Sequence, residues 1–266
     1  MSRARALAVL AALAALVFSM ANMAYASHAW NDYHWARTTN SFSLKVVDSI
    51  SSDWQAEFDQ ALDDWDQAAA IDFTNGGTDE GTRARKQCRA VTGQIRVCNA
   101  AYGQNGWLGL ASINIDANHH ITKGTAKMND SYGWYFAEHP YEKDHVICQE
   151  IGHLFGLGHT SEDGSSQDTC MDYSESEAAG DSTSPNQHDY NMLADIYGHL
   201  DSYNSYDDGT GDGGGSGCHG NNPKCNGSSS DGREFGQLVS SSDHHEVFVR
   251  RNADGTTTIT HLYLAR

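Results

Sequence analysis

The segment Gln149-Glu150-Ile151-Gly152-His153-Leu154-Phe155-Gly156-Leu157-Gly158-His159 constrains the chain more than any other. On a helix, Gln149 and His153 are four apart and share a face. Glu150 is displaced around the helix but reaches over the same point. Gly156 supplies dihedrals that end a helix sharply, so His159 can return from the other side. Gln149, His153 and His159 then make three protein ligands with one open position, the pattern of a catalytic zinc site. Glu150 is not a ligand in this reading. It is placed to hold a zinc-bound water and take its proton. His145 lies one turn before Gln149 and two turns, about 12 Å, before His153. It cannot join His153 on one ion, and it reads as a polar position near the helix start.

The first 26 residues read as a secretory signal: Arg3 and Arg5, an apolar run from Ala6 to Phe18, then Ala24-Tyr25-Ala26 before the cut. That run is short for a bilayer span, which takes about 20 residues, and no later segment is apolar enough. Export makes six cysteines an even disulfide set with fifteen possible pairings. Their spacing suggests Cys88 with Cys98, Cys148 with Cys170, and Cys218 with Cys225. A formal charge of −18 argues against a nucleic-acid partner.

Strand patterns appear at Phe42–Val47, Ile71–Phe73, Gly93–Ala101, Leu108–Asp116 and Ile121–Met128. His119 and His120 fall in the turn between the last two and read as solvated. Trp54, Phe58, Leu62 and Trp65 form one helical stripe, with Ser52 or Asp53 as its cap. Residues 78–90 read as a polar loop carrying Arg83, Arg85, Lys86 and Arg89. Helices are expected from Tyr141 to about Phe155 and over 186–200. Trp30, Tyr33, His34 and Trp35 read as an N-terminal anchor on the core. The expected organisation is a signal over 1–26, a main domain over 27–202, a Gly/Ser/Asp-rich linker over 203–232 and a β-hairpin tail over 233–266. That hairpin, Glu246–Arg251 with Thr257–Leu264, is too small to stand alone and should dock on something.

The Gln149–His159 segment resembles the metzincin signature H-E-x-x-H-x-x-G-x-x-H, with Gln149 in place of the first histidine. Met171, in Thr169-Cys170-Met171-Asp172-Tyr173, matches the methionine turn of that group. Tyr173 matches the tyrosine that astacin-like and serralysin-like members place near zinc. The Gly-Leu-Gly-His ending and Gly109-Leu110-Ala111 are closer to the matrixins. The resemblance spans roughly residues 41–200. The stretch between Ala26 and the first strand leaves no room for a matrixin-like propeptide.

The resemblance implies an α+β zincin fold, with a twisted, mostly parallel sheet, an active-site helix and a small C-terminal subdomain. It implies a zinc endopeptidase with Glu150 as general base, Met171 as a packing floor and Tyr173 as an oxyanion donor. The partner would be a peptide or protein substrate, added as a strand along Gly109 to Ile115. Gln149 leaves alternatives open, because zinc prefers imidazole to an amide oxygen. Besides the peptidase, the chain could be a degenerate secreted binding module, or hold zinc weakly and structurally.

Overall fold

A computed structural model describes residues 27–173, 181–207 and 235–265. The proposed signal, most of the linker and the Cys218–Cys225 pairing lie outside these residues. The elements run β1 (Phe42–Ser49), α1 (Gln55–Trp65), β2 (Ile71–Thr78), α2 (Thr82–Gln87), β3 (Gln94–Ala100), β4 (Trp107–Ile115) and β5 (Ile121–Asn129). They continue as α3 (Gly133–Glu138), α4 (Glu142–His153), α5 (Gln187–Ile196), β6 (Gln237–Ser241), β7 (His245–Arg251) and β8 (Thr257–Leu264).

The eight strands among the described residues form one sheet, ordered β2-β1-β3-β5-β4-β8-β7-β6. β1, β2, β3 and β5 are mutually parallel, and β4 runs antiparallel to β5. The main body is therefore the expected mostly parallel sheet, and its fold is metzincin-like. The tail adds three antiparallel strands, β6 as well as the two expected. Glu246 to Arg251 and Thr257 to Leu264 do form the expected hairpin, and it docks on β4.

The helices α1 and α4 pack on the sheet around a core holding Trp65, Ile95, Ile113, Ile147, Ile151 and Phe155. Trp65 fixes α1 to α4 by donating its indole N–H to the Cys148 carbonyl at 3.0 Å. The N-terminal lead-in anchors as expected. Trp35 is fully buried and donates its indole N–H to the Leu154 carbonyl at 2.9 Å.

Local departures have local causes. β2 runs on through Asn75-Gly76-Gly77, because β1 continues to offer it a parallel partner. Residues 82–87 are helical, and Arg85 turns inward to the Asn99 carbonyl at 2.9 Å. Trp54, with no capping side chain, precedes α1 in place of Ser52 or Asp53. Leu200 is exposed, beyond the end of α5. The stretch after Tyr197 stays on the body through Asp207, which pairs with Lys45 at 2.9 Å.

Candidate active site

Helix α4 is buried along nearly its whole length, Gln149, Glu150 and His153 included. Two features seat it so deeply. Gly109 of β4 has no side chain where a Cβ would lie 2.5 Å from Val146 Cγ1 and 2.7 Å from Glu150 Oε1. Gly152 likewise leaves room for Met171, whose Sδ would be 2.5 Å from a Cβ there. Met171 is fully buried beneath the helix, and the Cys148–Cys170 disulfide ties helix and methionine turn together. Cys88–Cys98 joins the end of α2 to β3. Gly156 sits at φ +97°, and a Cβ there would meet the Tyr33 carbonyl oxygen at 2.0 Å. Both its conformation and its neighbour require glycine.

The turn after Gly156 brings His159 back to His153, as the spacing requires. Their Nε2 atoms are 3.1 Å apart. His153 Nδ1 is 2.8 Å from the Leu157 carbonyl oxygen, and His159 Nδ1 is 3.2 Å from Glu162 Oε1. Those partners only accept, so each Nδ1 carries the ring proton. Burial is the main force holding both imidazoles neutral: His159 is pushed down to about 3 and His153 well below the usual range. Two proton-free nitrogens therefore face each other, which is repulsive unless a cation lies with them. Two nitrogens bound tetrahedrally to zinc at about 2.1 Å would lie about 3.4 Å apart. The donor set fits a zinc ion.

Gln149 sits differently. Its amide nitrogen donates to the Cys170 and Asp172 carbonyls at 2.9 and 3.0 Å, clamping the methionine turn. Only its buried Oε1, which has no hydrogen-bond partner, is left for an ion. His145 lies in the first turn of α4, near the helix start as read. It is fully buried, 3.3 Å from the Gln149 amide and edge-on to the Tyr263 ring.

The tail enters the site. β8 pairs with β4 from Trp107 to Ile115 and places His261 opposite Ala111. The free edge expected to receive substrate along Gly109 to Ile115 is thus filled by the chain's own strand. Period-two alternation explains how. Ile259 and Tyr263 join the main core, while Leu262 packs with Trp107, Leu110 and Phe248 in a separate cluster. Thr260 bonds Ser112 at 2.9 Å, and Thr258 accepts from Asn114 at 3.0 Å.

His261 is therefore aimed at the site. Its Nδ1 is 3.3 Å from Glu150 Oε2, and its Nε2 lies 2.7 Å from the Tyr173 hydroxyl. His153, His159 and His261 each offer a ring nitrogen within 4.8 Å of the others. Burial holds His261 neutral too. The same burial lifts Glu150 to about 8, against a backbone hydrogen bond from Ala111 and the nearby His153 that lower it. A bound dication would favour its carboxylate. Tyr173 is fully buried and stacks on His245 of β7, with ring planes 7° apart.

The structure thus gathers Glu150, His153, His159 and Tyr173 in one place. Motif spacing gave no sign of His261 or His245. A histidine between Ile259 and Tyr263 on the inward face of a strand was the available signal for His261. Trp30, read only as part of the N-terminal anchor, also reaches the site, its ring centroid 5.2 Å from that of His153. His119 is exposed against Asp32, whereas its neighbour His120 packs beside His34 and Asp201 instead of standing in solvent.

Among solved structures, the chain is similar to high choriolytic enzyme 1, a hatching-enzyme zinc-protease of the medaka fish Oryzias latipes. The identity is 13%, covering 62% of this chain and 94% of that one, with a TM-score of 0.34. It is similar to myroilysin at 13% identity, covering 64% and 98%, with a TM-score of 0.36. No curated protein is a significant match. The family model of the matrixins matches residues 32–198, more than half of the sequence and all of the helix, turn and methionine-turn assembly. The chain belongs to the matrixin family of metallopeptidases.

Proposed function

We propose that the chain is an exported zinc endopeptidase that uses Glu150 as its general base. The observation that carries this reading is the pair of proton-free Nε2 atoms of His153 and His159, 3.1 Å apart, on the helix and turn that also hold Glu150. Family membership and two disulfides, which persist in oxidising compartments, support it. His153 and His159 hold the ion, and Gln149 Oε1 and His261 are the two candidates for a third donor.

Zinc, when bound, supplies Lewis-acid polarisation of a water and of the scissile carbonyl. Glu150 holds that water, takes its proton as the oxygen attacks, and passes the proton to the leaving amine. Tyr173 donates its phenol to the carbonyl oxygen as charge gathers there. For this it must let go of His261. The substrate strand takes the β4 edge when β8 has left it.

The test is cleavage of a quenched peptide library by zinc-loaded full chain. Activity that a chelator removes, zinc restores and Glu150→Ala abolishes supports the proposal. Cleavage that persists in Glu150→Ala sinks it. The filled edge and fully buried Glu150 favour one alternative, a secreted binding module that has given up catalysis. That reading expects peptides to stay intact even when β8 is displaced.

A further inference from the structure

We propose that His261 of β8 is the third ligand of the metal on His153 and His159, in the place the family motif gives to residue 149. This assignment concerns metal binding and stands whether or not the loaded protein cuts peptides.

Four observations converge. The three imidazoles pack mutually, with ring centroids 4.3 Å apart for His153 and His261 and 4.8 Å for each other pair. All three rings offer a nitrogen inside one 4.8 Å set. One nitrogen of each ring has a support of the kind that orients ligating histidines: the Leu157 carbonyl on His153 Nδ1, Glu162 on His159 Nδ1 and Glu150 on His261 Nδ1. His261 Nε2, 2.7 Å from the Tyr173 hydroxyl, is the nitrogen that would serve the ion by exchanging that bond for it. Gln149, by contrast, has spent its amide hydrogens on the methionine turn and offers only a neutral oxygen, a poorer zinc donor than imidazole.

His261 is held at that point by backbone register. It lies opposite Ala111, with the Thr260–Ser112 bond before it and Tyr263 opposite Gly109 after it. A slip of one residue would turn it to the other face of the sheet. The ion would therefore bridge two parts of the chain far apart in sequence, and binding it would stabilise the docked tail by mass action.

The experiment measures zinc affinity of the full chain by chelator competition, for wild type, His261→Ala and Gln149→Leu, with circular dichroism confirming folding. His261→Ala should weaken zinc by about 100-fold or more, while Gln149→Leu stays within about tenfold. A second variant, His261→Cys, is loaded with cobalt in place of zinc. A sulfur-to-cobalt charge-transfer band, absent from wild type, places residue 261 on the ion and does not depend on the other variants folding. Wild-type zinc affinity in His261→Ala, or folded, cobalt-loaded His261→Cys without the band, overturns the assignment.

Discussion

Helix α4 and strand β8 press on the same buried cluster, but they are held there by different means. The helix is a fixture. A disulfide joins Cys148 to Cys170, the Trp65 indole grips the Cys148 carbonyl, and Gly109 and Gly152 let it sink onto β4 and Met171. β8 is held by its ladders to β4 and β7, two side-chain bonds to β4, Ile259 and Tyr263 in the main core, the His261 contacts to Glu150 and Tyr173, and a small apolar cluster around Leu262. β6, which pairs with β7 at the outer edge of the sheet, is exposed throughout. One wall of the site is cross-linked, and the other is bound only by reversible contacts. The difference leads to the expectation that the ladder to β4 opens before the cross-linked α4 assembly does.

The sharpest way to break this comparison is through the chemistry assigned to the fixed wall. Glu150→Ala should lower kcat of the zinc-loaded chain by at least about 1000-fold, within the range of lost general-base catalysis. Retained activity would mean α4 does not carry the reaction. Next, removing the cross-link with Cys148→Ser and Cys170→Ser together should cost about 3 kcal/mol in denaturant unfolding. An unchanged midpoint would make the helix no more of a fixture than β8.

The removable wall has its own test. Leu262→Asp places a charge among Trp107, Leu110 and Phe248 and should free β8 from β4. With zinc in enough excess to offset the loss of His261 from the ion, peptidase activity should rise about tenfold, while amide exchange in α4 stays slow. Exchange that quickens in α4 as much as in β8 would show the walls to be one cooperative unit. Gly109→Ala drives a methyl into Val146 and Glu150 and should cost about 2 kcal/mol. The smallest effect expected is Met171→Leu, under about 1.5 kcal/mol with zinc affinity kept, since Met171 packs beneath the helix and is not a ligand.

Much of the fixed wall was legible in the sequence. The i, i+4 spacing of Gln149 and His153 and the break at Gly156 need only helix geometry. The cross-link between Cys148 and Cys170 was suggested by spacing and is present. His261 was not legible as part of the site, because a lone histidine in an alternating strand has no local partner to declare its role. The same holds for Gln149. The helix fixes where its Cα lies, but whether its amide turns to an ion or to the Cys170 and Asp172 carbonyls depends on residues about twenty positions away. The β4 edge reads as free from its own residues, and only the pairing register of a strand some 150 residues later fills it.

The sequence by itself determined the local geometry: an active-site helix, a glycine-ended turn returning His159, a methionine turn and a hairpin at the tail. The methionine turn is read from the metzincin resemblance, and the rest follow from period, propensity and glycine dihedrals within a few residues. Tertiary structure alone decided which strand takes the open edge of the sheet and which side chain meets His153 and His159. Such contacts between distant segments are set by backbone ladders and packed faces, and no short stretch of sequence encodes them.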